Sequence, residues 1–322
     1  MKKGKIVLEK QLSKMYNYLD KNIFTRGQRK MEYVILILST LAVSGKAIFC
    51  KLAGSVKGRG AFFVNFKAFL TAFAVMSLIA IRDLPGIFNI SLYSLILAVV
   101  YGISVGFTQF TQMKAMNAGP ASITTFVYSS SLLIPIVYSY FVWSEPISVW
   151  QIIGIAILFI SLLLIVIEPG EKKINTVWIL FISLAALGSG ANGIIQKAHQ
   201  LSAHKSELNL FLIIAFLFAA IASLIIYFLY RPEEVVKKDI KKPSVMSRLF
   251  PILLGITVGG LNFLNLTLAG LLPAAIIYPV TNIGSLILTS VISVIAFKER
   301  LGIRRIIGYV IGIFAILIIG ML

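Results

Sequence analysis

A chain of 322 residues in which 58% are hydrophobic and only 13% charged, with a mean hydropathy of +0.94, is far from the roughly one-quarter charged composition of soluble domains, which excludes a cytosolic enzyme, a disordered chain and a free nucleic-acid binder. One cysteine, Cys50, excludes an internal disulfide framework and any cysteine-built zinc or iron–sulfur centre. The net charge of +18 comes from bases placed mostly between apolar runs, as expected of loops facing phospholipid.

Residues 1–30 contain nine Lys or Arg and lack the apolar stretch of a cleavable signal peptide. Two readings stand for this tail. Leu8, Leu12, Met15, Leu19 and Ile23 form one helical stripe, which suits an amphipathic helix on an anionic leaflet. Met31, just before Glu32-Tyr33-Val34, is equally an ordinary start, which would make the tail an upstream-start artefact.

A helix needs about 20 apolar residues to cross roughly 30 Å of hydrocarbon. Ten such stretches follow in chain order, at 33–53, 61–81, 92–113, 120–142, 147–167, 175–198, 208–229, 250–270, 273–297 and 303–322. Runs such as 152–167 are apolar on every face, unlike the alternating strands of a membrane barrel. The fold class expected is an all-α integral membrane protein. Leu84-Pro85-Gly86, Gly119-Pro120 and Leu272-Pro273 break the chain where helices should end or begin. The longest hydrophilic connector, 231–248, with Pro232 and Pro243, reads as a surface loop. Ser129-Ser130-Ser131 with Pro135, and Tyr278-Pro279, mark places where a helix would open or bend.

Sliding the chain by 154 positions superposes spans three to five on spans eight to ten without a gap. Gly106 then falls on Gly260, Ala115 on Ala269, Ser131 on Ser285, Glu145 on Glu299 and Gly154 on Gly308. A shift of 146 sets Ile48 on Ile194 and Lys51 on Lys197. The organisation expected is a tail at 1–30, a first five-helix repeat at 31–170 and a second at 171–322. Five is odd, so the second repeat would cross the membrane in the opposite sense, the inverted symmetry used for alternating access. The basic residues divide between the two faces in a way that leaves the orientation of the termini open.

Ten helices in two repeats, the segment Ser44-Gly45-Lys46-Ala47-Ile48-Phe49-Cys50-Lys51-Leu52, and Phe297-Lys298-Glu299-Arg300-Leu301 leading into Ile307-Gly308-Tyr309-Val310-Ile311-Gly312 together resemble the drug/metabolite transporter superfamily, specifically its EamA-domain members. The resemblance implies a secondary transporter, often an exporter of amino acids, metabolites or drugs, with a central cavity between its halves and cytoplasmic termini. Many members carry Arg in the second span where this chain has Lys67, which weakens the expectation of a bidentate grip on a carboxylate.

Lys46 and Lys67 lie inside apolar spans, where a charge costs at least roughly 2.5–3.5 kcal/mol. Asp83, Glu145, Glu168 and Glu299 all stand at span ends. With no carboxylate inside a span, Lys46 should face a hydrated cavity, and an anionic or zwitterionic solute could supply the missing charge. Lys67, near a helix start, could instead snorkel to the interface. Thr108 and Thr111 align with Asn262 and Asn265, Tyr128 with Asn282, and Lys46 with Asn192. Lys46, Lys67, Thr108, Gln109, Gln112, Tyr128, Asn192, Asn262, Asn265, Tyr278 and Asn282 form the candidate substrate-binding set, Tyr128, Tyr278 and Trp143 offering ring surface. Interhelical hydrogen bonding is the competing reading for each residue taken singly.

Gly188, Gly190 and Gly193 formally satisfy GxGxxG, but no strand precedes them. Close helix approach explains them better, as it does Gly102/Gly106 and Gly308/Gly312, the last pair also being a candidate homodimer face. His199 and His204 read as solvated loop histidines and not as a metal site. Glu145 and Glu299 read as helix caps or gate ties. No catalytic residue, metal or cofactor is expected; the partners expected are a small-molecule solute and the lipid bilayer, with no nucleic acid. The function expected is secondary transport of a small anionic or zwitterionic metabolite, amino-acid-like for preference, in the plasma (inner) membrane of a prokaryote. Export of lipophilic cationic drugs is the alternative, and a scaffold or lipid scramblase a more distant one.

Overall fold

A computed structural model of the chain describes residues 31–46, 48–49, 59–118, 121–166, 175–229, 245–297 and 302–320. The basic tail, Lys51, Glu168, Glu299 and most of the 231–248 connector lie outside the described residues. Among the described residues there is helix and no strand. Helix α1 covers 31–46, followed by α2 (Arg59–Ile79), α3 (Leu92–Ala118), α4 (Ala121–Ser130), α5 (Leu133–Val142), α6 (Val149–Val166), α7 (Thr176–Leu201), α8 (Leu208–Leu229), α9 (Val245–Ala269), α10 (Ala274–Phe297) and α11 (Ile303–Gly320). Each of the ten expected spans is thus helical in its described part, the fourth in two pieces. By length and composition, 62–79, 92–112, 176–201, 205–229 and 249–269 can each cross a membrane.

The interruption in the fourth span falls at Ser131-Leu132, beside the serine run. There the backbone tightens into three-residue bonds, Ser131 N to Tyr128 O at 3.1 Å and Ile134 N to Ser131 O at 3.1 Å. Pro135 follows in the first turn of α5, where a missing N–H costs little because first-turn donors have no intrahelical acceptor. The other candidate break differs: α10 runs unbroken through Pro279.

Helices of the two halves interlock. Helix α2 packs on α8 and α9, α3 on α7 and α8, and α6 on α11. The main apolar core therefore sits on the seam between halves, joining Phe69, Ala72 and Met76 of α2 and Ala98 of α3 to Phe211, Phe216 and Ala219 of α8 and Leu254 of α9. Outward-facing apolar side chains such as Phe141, Leu229 and Ile295 are about three-quarters exposed, as a lipid-facing surface requires.

The glycines serve close packing, each against a different neighbour. A methyl on Gly190 would meet Ile134 of α5 at 2.5 Å, one on Gly193 would meet the Tyr278 hydroxyl of α10 at 2.9 Å, and Gly188 abuts Thr108 of α3. Helix α7 is thereby the hub of the bundle. Gly308 and Gly312 pack against Ile165 and Ser161 of α6, and the Ser161 hydroxyl donates to the Gly308 carbonyl at 2.7 Å. In this structure the face of the pair is covered by α6 of the same chain.

The four described connections between successive spans, 80–91, 143–148, 202–207 and 270–273, meet at one end of the bundle. Glu207 accepts from the Ser91 hydroxyl at 2.6 Å and the Ser91 N–H at 3.2 Å, and Asn209 donates to Asp83 at 2.6 Å. These contacts join the α2–α3 connection to the start of α8.

Candidate functional site

A cavity of about 200 Å³ opens among α1, α2, α3, α4, α7, α9 and α10. Of the eleven candidate residues, nine line it: Lys46, Thr108, Gln109, Tyr128, Asn192, Asn262, Asn265, Tyr278 and Asn282. Each of these helices is apolar overall, so an amide or hydroxyl on it has no use on the lipid side and turns toward the seam. Val105, Ala68, Phe69, Leu254, Val258 and Leu261 supply an apolar part of the wall.

Two candidates fall elsewhere. Lys67 is exposed, on the same outward side of α2 as Phe63 and Leu70, with its ammonium 4.6 Å from the Phe63 ring centroid. A cation over a ring face, with a long stem reaching outward, satisfies it without the cavity. Gln112 is half-buried and outside the lining. Thr111, the helical partner of Thr108, spends its hydroxyl on its own helix, donating to the Phe107 and Thr108 carbonyls. Trp143 packs edge-on against Tyr138, centroids 5.0 Å apart, and offers no cavity surface.

Lys46 is half-buried on the cavity wall, and among the described residues it has no ion-pair partner. The lining among the described residues includes no Asp or Glu. Opposing polarity comes from amide oxygens. Asn192 donates to Thr108 Oγ1 at 3.4 Å, and its own Oδ1 is buried with no hydrogen-bond partner among the described residues, an acceptor that carries a penalty of about 1–3 kcal/mol unless something donates to it. Asn282 donates to the Tyr278 carbonyl at 2.9 Å, and Asn265 accepts from Ser39. The arrangement can hold a solute with an anionic group near Lys46 and a hydrogen-bond donor near Asn192.

Below these residues the cavity is floored by a network in which two residues outside the candidate set, Tyr101 and Gln196, join Asn262. Tyr101 donates to Asn262 Oδ1 at 2.6 Å, and Gln196 donates to the Tyr101 hydroxyl at 2.7 Å and to Asn262 Oδ1 at 3.1 Å. Tyr278 donates to the Gly193 carbonyl at 2.8 Å. One turn further toward the end that gathers the described connections, Lys197, 1% exposed, pairs with Glu145 at 2.5 Å and donates to the Leu272 carbonyl at 3.2 Å. The other Glu145 oxygen accepts from the Ala274 N–H at 3.1 Å. Glu145 therefore does cap a helix, α10, and a buried lysine besides. The alignment of Lys197 with Lys51 is the available sign, but a lysine at the end of an expected span, here 175–198, reads from sequence as a base at the membrane surface.

The histidines part company. His199 is fully buried on α7, its Nε2 3.2 Å from Ser94 Oγ, its Nδ1 3.1 Å from the Gln200 amide and its ring 4.4 Å from that of Phe211. The solvated-loop reading fails for it because the helix extends past 198 to Leu201 and carries it into the core. His204 is half-buried in the loop after α7, its side chain 42% exposed and its ring stacked on Tyr93 at 5.8 Å. Among the described residues no three metal-ligating side chains cluster.

A family model described as the EamA-like transporter family matches the chain twice, over residues 30–167 and 176–321. Among solved structures, a crystal structure described only as that of a protein superposes with a TM-score of 0.71 at 13% identity, over 91% of this chain and 97% of that one, a likeness of fold. No curated protein matches the sequence.

Proposed function

The chain belongs to the EamA-like transporter family, within the drug/metabolite transporter superfamily, and from that premise we propose that this multi-pass membrane protein is a secondary transporter of a small anionic or zwitterionic metabolite, amino-acid-like for preference. The observation that carries the reading is Lys46, a cation on the wall of a cavity whose described lining has no carboxylate. A bound carboxylate would neutralise it where the apolar surroundings make a lone ammonium costly. The orphaned Asn192 oxygen supports a solute that also donates a hydrogen bond.

Size and charge both weigh against a lipophilic cationic drug. The cavity, about 200 Å³, is smaller than the roughly 300–1,000 Å³ typical of drug-sized ligands, and a ligand cation would meet Lys46 with nothing negative beside it. Transport would proceed by rocking of two five-helix repeats inserted in opposite senses around the central cavity, with no catalytic step, in the inner membrane of a prokaryote; efflux is the direction its family favours.

The test is a thermal-shift screen of the purified protein against amino acids, carboxylate metabolites and quaternary ammonium compounds, repeated on Lys46→Ala. Stabilisation by carboxylate-bearing solutes that disappears in the variant is the expected result. Equal stabilisation of both proteins, or a response to the quaternary ammonium compounds alone, overturns the reading.

A further inference from the structure

We infer that Glu145 and Lys197 form a latch between the two halves that seals one end of the cavity, and that breaking this ion pair opens the cavity to that face of the membrane. The inference rests on the transporter reading and adds positioning residues to it. Neither residue lines the cavity, and neither is needed to hold a solute.

Three observations carry it. The pair crosses the seam: Glu145 precedes α6 in the first half, while Lys197, Leu272 and Ala274 belong to the second. It lies just beyond the cavity floor, since Lys197 follows Gln196 directly and Ala274 stands one turn before Tyr278, both cavity residues. Its groups are also matched to one another. The carboxylate lies at the N-terminus of α10, the end whose partial charge favours an anion, and the ammonium, carried near the end of α7, also donates to the Leu272 carbonyl.

The backbone adds a separate sign that Glu145 is held in place. Ser144 has φ 52°, the one left-handed non-glycine residue among those described, and the N–H groups on either side of it, of Trp143 and Glu145, both donate to the Ser139 carbonyl at 3.1 and 3.2 Å. A serine kept in this conformation costs energy that the surroundings must offset. The strained turn aims the carboxylate across the seam.

An ion pair whose lysine is 1% exposed and whose glutamate is 20% exposed is a suitable element for a two-position device. Closed, the ammonium meets the Glu145 carboxylate and the Leu272 carbonyl; with the carboxylate gone it is left buried and uncompensated. Opening therefore has to expose both groups to water together, which makes the end of the cavity shut or open with little between.

Labelling of a cavity thiol tests the latch without any transported solute. Ser189 of α7 also lines the cavity, so in a Cys50→Ser background Ser189→Cys places a thiol on its wall, and a membrane-impermeant thiol reagent is applied to each face of oriented vesicles in separate arms. Glu145→Gln and Lys197→Met should each raise labelling from the sealed face by about tenfold or more, without a rise from the opposite face; general loosening would raise both. The double variant Glu145→Gln with Lys197→Met leaves no stranded charge, so it folds where a single one does not, and it should show the same one-sided rise. Unchanged labelling from the sealed face in the double variant, or an equal rise from both faces, overturns the inference. Failure to find any transported solute would count against the function proposed above and leave this measurement readable.

Discussion

The Tyr101 hydroxyl donates to Asn262 Oδ1 at 2.6 Å, pinning α3 of the first half to α9 of the second beneath the cavity. Gln196 of α7 donates to both atoms of that bond, so three helices share one buried polar knot. Because Asn262 Oδ1 keeps the Gln196 donor when the tyrosine hydroxyl is removed, Tyr101→Phe should lower stability by about 1 kcal/mol. Asn262→Ala, which orphans two donors, should cost about 2–3 kcal/mol. Thermal unfolding of the purified variants gives the order, and a Tyr101→Phe protein less stable than Asn262→Ala would refute this account of the knot.

The two lysines singled out by the sequence should behave oppositely. Lys67→Ala removes an exposed cation that touches the Phe63 ring and should leave ligand-induced stabilisation within about twofold of the parent, since an exposed cation–π contact is worth about 0.5–1 kcal/mol to the fold and nothing to the cavity. Lys46→Gln keeps a polar side chain but no charge, and should weaken carboxylate ligands by about tenfold or more. Titration of any ligand found in the thermal screen separates the two; equal losses would mean that Lys67 reaches the solute after all.

What the sequence made legible was whatever hydrocarbon makes costly. Amides and a lysine inside apolar spans can only turn inward, and repeat alignment paired Thr108 with Asn262 and Tyr128 with Asn282 before any fold was in view; all four line the cavity. Lys67 stays open in the sequence between the cavity and the interface because composition does not fix the rotation of a helix about its axis: Phe63, Lys67 and Leu70 share a face, and only the packing of α2 on α8 and α9 shows that it points outward. The Glu145–Lys197 pair was illegible for another reason. Each residue alone is an ordinary charge at a helix end, and their meeting depends on contacts between segments 52 positions apart. Glu145 by itself reads as a cap or tie; what its position does not show is the partner.

The packing of α7 predicts a contrast between glycines. A methyl at Gly190 would sit 2.5 Å from Ile134 Cβ, whereas one at Gly260 would meet nothing within 4 Å. Gly190→Ala should therefore destabilise by about 1–3 kcal/mol through overpacking. Gly260→Ala should be neutral or slightly stabilising, because alanine is the better helix former by about 1 kcal/mol. Adding Ile134→Val to Gly190→Ala should recover part of the loss, since a smaller side chain opposes the new methyl. Unfolding midpoints of the three variants decide it; Gly190→Ala at parental stability would show that α5 yields freely at this contact.

Charge selection by the cavity predicts the effect of a single added carboxylate. Asn192 presents a buried oxygen with no donor and shares the cavity wall with Lys46. Asn192→Asp changes little in volume but places an anion where the solute's own anionic group is to be held. Repulsion, together with competition for Lys46, should weaken carboxylate-bearing ligands by about tenfold or more. The same carboxylate should admit cations that the parent rejects, so quaternary ammonium compounds that leave the parent unfolding temperature unmoved should raise that of the variant. Asn192→Ser, which removes the amide without adding charge, separates charge from shape: it should lose affinity for hydrogen-bond donors while still excluding cations. Unaltered carboxylate binding in Asn192→Asp would place the solute's anionic group beyond the reach of this wall and undo the charge-selection account.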